Sequence, residues 1–199
     1  MTAIKIAYIL SVGHSGSSLL DVLLGHDKQA VSIGEVKLDT NGHIANMRCT
    51  CDHTIQECEF WNEIDRRIRD SGTSLFNITF AGDTEDIHTD DIYSFYRSIC
   101  DVSGAKLIVD SSKSISRLRA LEKAGSTFDL RVIFLERIPF GVVASNYRKG
   151  RNWIRHTFMY LINNASRRQF AASYNPLHIN YDEIVSDPKA TIERIYRFL

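Results

Sequence analysis

The sequence IKIAYILSVGHSGSSLLDVLL, residues 4–24, decides the fold. Its first part, residues 4–12, is a short apolar run of the kind that forms a buried parallel strand. A turn of small residues, GHSGSS, follows at 13–18, and leucines then recur at helical spacing over 19–24. A glycine- and serine-rich loop that opens a helix offers an anion unpaired N–H groups and the positive end of the helix dipole. Residues 13–18, the phosphate loop, therefore predict a phosphate-binding site, and an ordinary serine-rich helix start is the alternative.

The phosphate loop lacks the lysine of the loop that binds nucleoside triphosphates. In the pattern GxxxxGK(S/T), a lysine directly before Ser or Thr holds the β- and γ-phosphates, and the hydroxyl binds Mg²⁺. Ser17 stands at the lysine position in this chain. The ligand of the loop is therefore expected to differ from a nucleoside triphosphate.

Length and composition predict one α/β domain spanning residues 1–199. The chain has 199 residues, of which 44% are apolar, and a formal net charge of zero. A neutral chain has no general attraction to nucleic acid or to an anionic membrane. No apolar run is long enough to span a bilayer, and no basic region precedes a cleavable apolar segment, so we expect a cytoplasmic protein. The sequence stops inside an apparent helix, so we also expect a further C-terminal part.

Four more apolar runs predict strands at residues 30–35, 106–110, 131–137 and 177–181. Helical patterns lie between them, which predicts an α/β fold with a central parallel sheet. Polar residues follow each strand, where such folds place their ligands. The long helix predicted over 151–173 carries arginines on its polar side, which we interpret as a solvated face: Arg151, Arg155, Arg167 and Arg168.

Three ordered motifs resemble those of sulfotransferases. GHSGSSLL resembles their 5′-phosphosulfate loop, written with Arg or Lys before S-G-(S/T)-(S/T)-x-L. Arg137 and Ser145 match a second signature, R-x-P-x-x-x-x-x-S, and residues 179–199 resemble the Y-E-D-L…P…I…F-L tail. The resemblance implies a three-layer α/β/α fold similar to P-loop nucleoside kinases. It also implies 3′-phosphoadenosine-5′-phosphosulfate (PAPS) as the sulfuryl donor.

The resemblance further implies which residues bind this donor. Arg137 and Ser145 are expected to grip its 3′-phosphate, since a guanidinium makes paired charge-assisted hydrogen bonds to phosphate. Tyr181 is expected near the adenine, and core packing is the alternative for it. The expected donor-binding residues are Gly13, His14, Ser15, Gly16, Ser17, Ser18, Arg137, Ser145 and Tyr181.

Three residues are expected to act in catalysis: Glu35, Lys113 and His14. Glu35 is the expected base that deprotonates the acceptor, and a solvated loop acid is the alternative. Lys113 would neutralise charge that develops on the bridging oxygen. His14 stands where the family has a cation, and it is the rival base because imidazole titrates near neutral pH.

Polar residues after the strand at 106–110 are expected to help bind the acceptor. These are Asp110 and Ser112, together with Glu35. For Asp110, helix capping or a salt bridge is an equal alternative. Residues 40–102, which include an acidic loop at 83–86, are expected to cap the acceptor site, since variable loops set specificity on such scaffolds.

Three cysteines, Cys49, Cys51 and Cys58, lie within ten positions, with His53 between them. Zinc ligation, a local disulfide and plain thiols are the possible interpretations. The C-x-C spacing is tighter than the common C-x₂₋₄-C, so we expect no metal.

The sequence as a whole predicts transfer of a sulfuryl group from PAPS to a hydroxyl or amine. The acceptor would be a small molecule, a carbohydrate or a lipid, and adenosine 3′,5′-diphosphate would be released. No metal is required by this chemistry. A P-loop-type kinase and a non-catalytic nucleotide-binding protein remain the alternatives.

Overall fold

The computed structural model describes residues 3–36, 43–78, 88–150 and 152–199. Within these ranges, five strands form one sheet in the order β2-β3-β1-β4-β5, and every neighbouring pair is parallel. The predicted central parallel sheet is confirmed. The strands are β1 Ile4–Ser11, β2 Ala30–Gly34, β3 Leu107–Asp110, β4 Phe128–Glu136 and β5 Leu177–Asn180.

Helices connect the strands, and several of them start with ordinary capping signals. The side chain of Ser114 accepts a hydrogen bond from the backbone N–H of Arg117, and Pro139 and Pro188 occupy first-turn positions. The helices are α1 Ser17–Gly25, α2 Glu59–Arg69, α3 Thr89–Ser103, α4 Ile115–Lys123, α5 Pro139–Arg148, α6 Trp153–Ala171, α7 Tyr181–Ser186 and α8 Pro188–Phe198. Short 3-10 helices lie at His43–Asn46, Ile55–Glu57, Gly125–Thr127 and Ala172–Tyr174.

Alternate residues of β1 enter two different hydrophobic cores. Tyr8 and its neighbours two residues away pack with residues of α2, α3 and α4, whereas Ala7 and Ile9 pack with residues of α1 and α8. Successive side chains of a strand point to opposite faces, so the sheet is covered on both sides. The three-layer α/β/α architecture follows from this arrangement.

The carboxyl ends of all five strands meet at one edge of the sheet because every pair is parallel. The phosphate loop follows β1 at the centre of this edge, and Glu35 follows β2. Lys113 comes shortly after β3, Arg137 after β4 and Tyr181 after β5. Open parallel sheets bind their ligands at this edge.

Part of the region predicted as a cap belongs to the core of the domain. Trp61 of α2 stacks on Phe95 of α3, with ring centroids 6.5 Å apart, and both are buried against the sheet. Residues 47–51 line a cavity of about 380 Å³ together with the end of β2 and the start of α2. Residues 40–42 and the acidic loop at 83–86 lie outside the described residues, and the capping role stays a prediction. No helix of the described ranges combines the length and apolar character that a membrane span needs.

Candidate active site

The phosphate loop joins β1 to α1 with the geometry that an anion site requires. Leu20 N donates to the carbonyl oxygen of Gly16 at 3.2 Å, which is the first full helical hydrogen bond of α1. The N–H groups of Ser17 and Ser18 precede this bond and belong to the set that a helix leaves without intrahelical partners. Gly16 has a φ of 92° and His14 a φ of 68°, so two left-handed residues shape the turn.

Gly16 is required by the packing as well as by the backbone. A Cβ atom at this position would lie 2.1 Å from Cδ2 and 2.6 Å from Cε2 of Tyr181. Tyr181 is the first residue of α7, directly after β5. Its ring therefore lies against the phosphate loop and connects the end of β5 to it.

Arg137 lies between Tyr181 and the phosphate loop. Its Cζ is 4.1 Å from the centroid of the Tyr181 ring, which is a cation–π contact. Its Nη1 donates to the carbonyl oxygen of His14 at 3.4 Å. A Cβ at Gly141 would lie 2.4 Å from Nε of Arg137, so the side chain crosses the first turn of α5. The guanidinium is thus held beside the phosphate loop.

Tyr160 of α6 fixes the backbone of Arg137, a contact that sequence analysis missed. Its hydroxyl donates to the carbonyl oxygen of Arg137 at 2.5 Å and accepts from Arg137 N at 3.1 Å. Ser145, the partner of Arg137 in the motif, lies half-buried in α5. No local sequence signal identifies Tyr160, because its contact joins residues 23 positions apart.

Glu35 and Lys113 form an ion pair across the ends of β2 and β3. Nζ of Lys113 donates to Oε2 of Glu35 at 2.8 Å. The Lys113 side chain is 14% exposed and that of Glu35 is 42% exposed. The predicted base and the predicted charge-neutralising lysine are therefore in direct contact.

Arg167 of α6 supports Lys113 and corrects one prediction. Its Nη1 donates to the carbonyl oxygen of Lys113, a residue in the left-handed region with a φ of 60°. Arg167 is half-buried, and this burial lowers the pKa of its guanidinium. The prediction of a solvated arginine face is therefore wrong for Arg167. Arg155 and Arg168 are exposed, as predicted, and Arg151 lies outside the described residues.

Asp110 is fully buried and makes its contacts within the protein. Its Oδ2 accepts from Nη1 of Arg117 at 3.0 Å and from the hydroxyl of Tyr96 at 2.6 Å, and its Oδ1 accepts from Ser112 N at 2.9 Å. The Ser112 hydroxyl is also buried, 3.0 Å from the Tyr8 hydroxyl. These contacts favour the salt-bridge alternative for Asp110.

Asp21 of α1 is a carboxylate near the candidate site that sequence analysis missed. It accepts a hydrogen bond from Oγ of Ser32 at 2.5 Å and lines the same cavity as Glu35. Burial raises the pKa of Asp21, and hydrogen bonds from Ser32 and Ser111 oppose this rise. The available signal was its position, because residues 17, 20, 21 and 24 form the buried stripe of α1.

The three clustered cysteines also line this cavity. All of them are free thiols, so the structure does not contain the local disulfide considered from the sequence.

Comparison with known structures and families agrees with this architecture. The sulfotransferase domain from the curacin biosynthetic pathway matches with a TM-score of 0.62 and 18% identity, covering 100% of this chain and 74% of that chain. The sulfotransferase domain of the Synechococcus PCC 7002 olefin synthase matches with a TM-score of 0.60 and 23% identity, covering 99% of this chain and 73% of that chain. Sulfotransferase STF9 from Mycobacterium avium matches with a TM-score of 0.52 and 13% identity, covering 100% of this chain and 64% of that chain. At these identities the likeness shows the fold alone.

Sequence comparison supplies the family. No protein with a curated description matches this chain. The model of the family described as "Sulfotransferase family" matches residues 7–199, which is nearly the whole chain. The chain therefore belongs to the sulfotransferase family, whose reaction is sulfuryl transfer.

Proposed function

We propose that this protein transfers a sulfuryl group from PAPS to a hydroxyl or amine of a small-molecule, carbohydrate or lipid acceptor, with release of adenosine 3′,5′-diphosphate. The observation that carries the proposal is the position of Arg137. Its guanidinium is held between Tyr181 and the carbonyl of His14, beside a phosphate loop that has serine in place of the triphosphate-binding lysine.

The residues present fit the two phosphate-bearing ends of this donor. The left-handed backbone of Gly16 turns the loop into α1, and the N–H groups and hydroxyls of Ser17 and Ser18 would hold the 5′-phosphosulfate. Arg137 and Ser145 would hold the 3′-phosphate. Charge-assisted hydrogen bonds of this kind are about twice as strong as neutral ones. We assign Tyr181 the role of orienting Arg137, because its ring already lies between Gly16 and the guanidinium.

Three further members of the phosphate loop would support the same end of the donor. Gly13 is exposed and Ser15 is fully buried, so Gly13 offers its backbone to a ligand while Ser15 anchors the loop in the domain. His14 takes the place of the cation that the family motif carries. Anions at the loop would favour the protonated imidazole, because a nearby negative charge stabilises the positive form.

On the acceptor side, Glu35 would take the proton from the attacking hydroxyl or amine. Glu35 lines the cavity of about 380 Å³, which suits a small acceptor or the end of a larger one. The ammonium of Lys113, 2.8 Å away, holds the carboxylate in position. The same ammonium would face the negative charge that develops on the departing phosphate as the bond to sulfur breaks.

Thermal shift with three nucleotides tests the proposed donor. Adenosine 3′,5′-diphosphate at about a hundred times its Kd should stabilise the protein by about 2.7 kcal/mol. For a chain of this size, that corresponds to an increase in Tm of roughly 5–11 °C. ATP and GTP with Mg²⁺ should give much smaller shifts. A larger shift with ATP and Mg²⁺ would contradict the proposal and point to a kinase.

A further inference from the structure

Three thiols of the segment 47–58 converge on one point. The Sγ atoms of Cys49, Cys51 and Cys58 all lie within 4.8 Å of one another, and those of Cys49 and Cys58 are 3.5 Å apart. The fourth cysteine, Cys100, lies on α3 and is not part of the group. The three thiols span the surface of the protein and its interior, since Cys51 is exposed and Cys58 is buried.

A hydrogen-bonded turn holds two of these thiols. Cys49 N donates to the carbonyl oxygen of His53 at 2.9 Å, and Asp52 N donates to that of Cys49 at 3.1 Å. An antiparallel bridge between Arg48 and Thr54 closes the turn. Cys49 and Cys51 therefore sit on a backbone that folds back on itself, which is how a C-x-C pair can present both sulfurs to one side.

The third thiol is placed by the start of α2. Cys58 is the residue before that helix, and the 3-10 helix Ile55–Glu57 connects it to the turn. Ile55 N donates to the carbonyl oxygen of Met47 at 2.8 Å, and a capping box between Thr54 and Glu57 fixes the connection. All three sulfurs thus belong to one short framework of backbone hydrogen bonds.

From this convergence we propose that Cys49, Cys51 and Cys58 form a three-thiolate binding site for zinc. A zinc–sulfur bond is about 2.3 Å long, so two thiolates of a tetrahedral site lie about 3.8 Å apart. The observed separations, 3.5 Å for one pair and no more than 4.8 Å for the others, need only small side-chain movements to reach that value. Binding releases the thiol protons to solvent and changes no oxidation state.

The site leaves one coordination position for water. Among the described residues, no fourth histidine, cysteine or carboxylate ligand joins the group. The three cysteines line the cavity that Glu35 also lines. A bound ion would therefore join the 49–53 turn to the start of α2 and stiffen this wall of the cavity. This inference revises the expectation of no metal, which rested on the C-x-C spacing alone.

Zinc content of the whole purified protein tests the site. The protein is expressed with zinc in the medium, dialysed against metal-free buffer and measured by elemental analysis, next to Cys51→Ser and the matched control Cys100→Ser. We expect about one zinc per chain in the wild type and in Cys100→Ser, and loss of nearly all zinc from Cys51→Ser. Cys51 is exposed, so its replacement leaves the core intact, which circular dichroism verifies.

Cobalt substitution provides a second readout that does not depend on activity. Co²⁺ added to chelator-treated protein should give a thiolate-to-cobalt charge-transfer band in the wild type and in Cys100→Ser, and Cys51→Ser should lose it. A wild type that carries no zinc and gives no such band would overturn the proposal. So would full zinc content in Cys51→Ser, or a disulfide within the cluster in the purified protein.

Discussion

Replacing Glu35 by Gln separates catalysis from stability at the candidate site. The Glu35 side chain is 42% exposed, so its ion pair with Lys113 contributes at most about 1 kcal/mol to the free energy of unfolding. The amide oxygen of Gln can still accept from the lysine. Loss of a general base typically lowers the rate by about 10²–10⁴, which corresponds to roughly 2.7–5.4 kcal/mol of activation free energy. The effect on kcat should therefore exceed the effect on stability several-fold.

Single-turnover consumption of PAPS, with the best acceptor from a panel of hydroxyl and amine compounds, measures this effect. Calorimetric binding of adenosine 3′,5′-diphosphate to the same variant should be nearly unchanged. Asp21→Asn is the matched control, because it removes the other carboxylate of the same cavity and should keep a near-normal kcat. Normal turnover in Glu35→Gln would refute the assignment of the base. Loss of turnover in Asp21→Asn alone would transfer the role to Asp21.

Three further predictions concern residues in and around the site. Gly16→Ala should lower both Tm and donor affinity, because the new Cβ would clash with the ring of Tyr181 and because Gly16 has a φ of 92°. Gly13→Ala is the control. A Cβ at Gly13 would meet no atom within 4 Å, so this variant should keep its Tm. Arg117→Ala should lower the free energy of unfolding, measured with urea, by about 3–5 kcal/mol, because it leaves the buried carboxylate of Asp110 without its cation. A decrease near zero would contradict this prediction. The raised pKa of Asp21 adds stability that is complete below its unfolded pKa of about 3.9 and is lost as pH rises through its folded pKa. The wild type should thus lose stability relative to Asp21→Asn as the pH rises above about 4, whereas a pH-independent difference would argue against the raised pKa.

The strands and the phosphate loop could be predicted because their signals are local. An apolar run followed by small polar residues identifies a buried strand and its functional end without knowledge of the neighbours. Once the strands are parallel, their carboxyl ends must meet, so Arg137 and Glu35 were placed at the same edge of the sheet from sequence alone. That Glu35 contacts Lys113 depends on β2 lying next to β3, and sequence analysis did not supply this strand order.

The supporting residues of the site could not be predicted because their contacts are long-range. Arg167 lies 54 residues from Lys113, and Tyr160 lies 23 residues from Arg137. Helical periodicity assigned the arginines of α6 to solvent. Periodicity cannot show that α6 passes the carboxyl edge of the sheet, where the guanidinium of Arg167 reaches the carbonyl oxygen of Lys113. For Asp110 the sequence suggested a functional role, because the residue lies at the end of a strand. In the structure it forms a buried ion pair with Arg117.

The cysteine segment shows the limit of spacing rules. The interval between Cys49 and Cys51 argued against a metal because the common motifs have longer intervals. The turn at 49–53 and the helix start at Cys58 bring the three sulfurs together in spite of this interval. Ligand convergence depends on the backbone between the ligands, and the interval alone does not determine it.

Arg137 is proposed to select a donor with a 3′-phosphate, and calorimetric titration of two nucleotides measures this selection. Adenosine 3′,5′-diphosphate and 5′-AMP are titrated into the wild type, Arg137→Ala and the control Arg131→Ala, which replaces an exposed arginine of β4. The wild type and the control should bind the diphosphate about 10- to 100-fold more tightly than 5′-AMP. In Arg137→Ala the ratio should fall close to one, with 5′-AMP affinity retained. Equal affinities in the wild type, or an unchanged ratio in Arg137→Ala, would contradict the account.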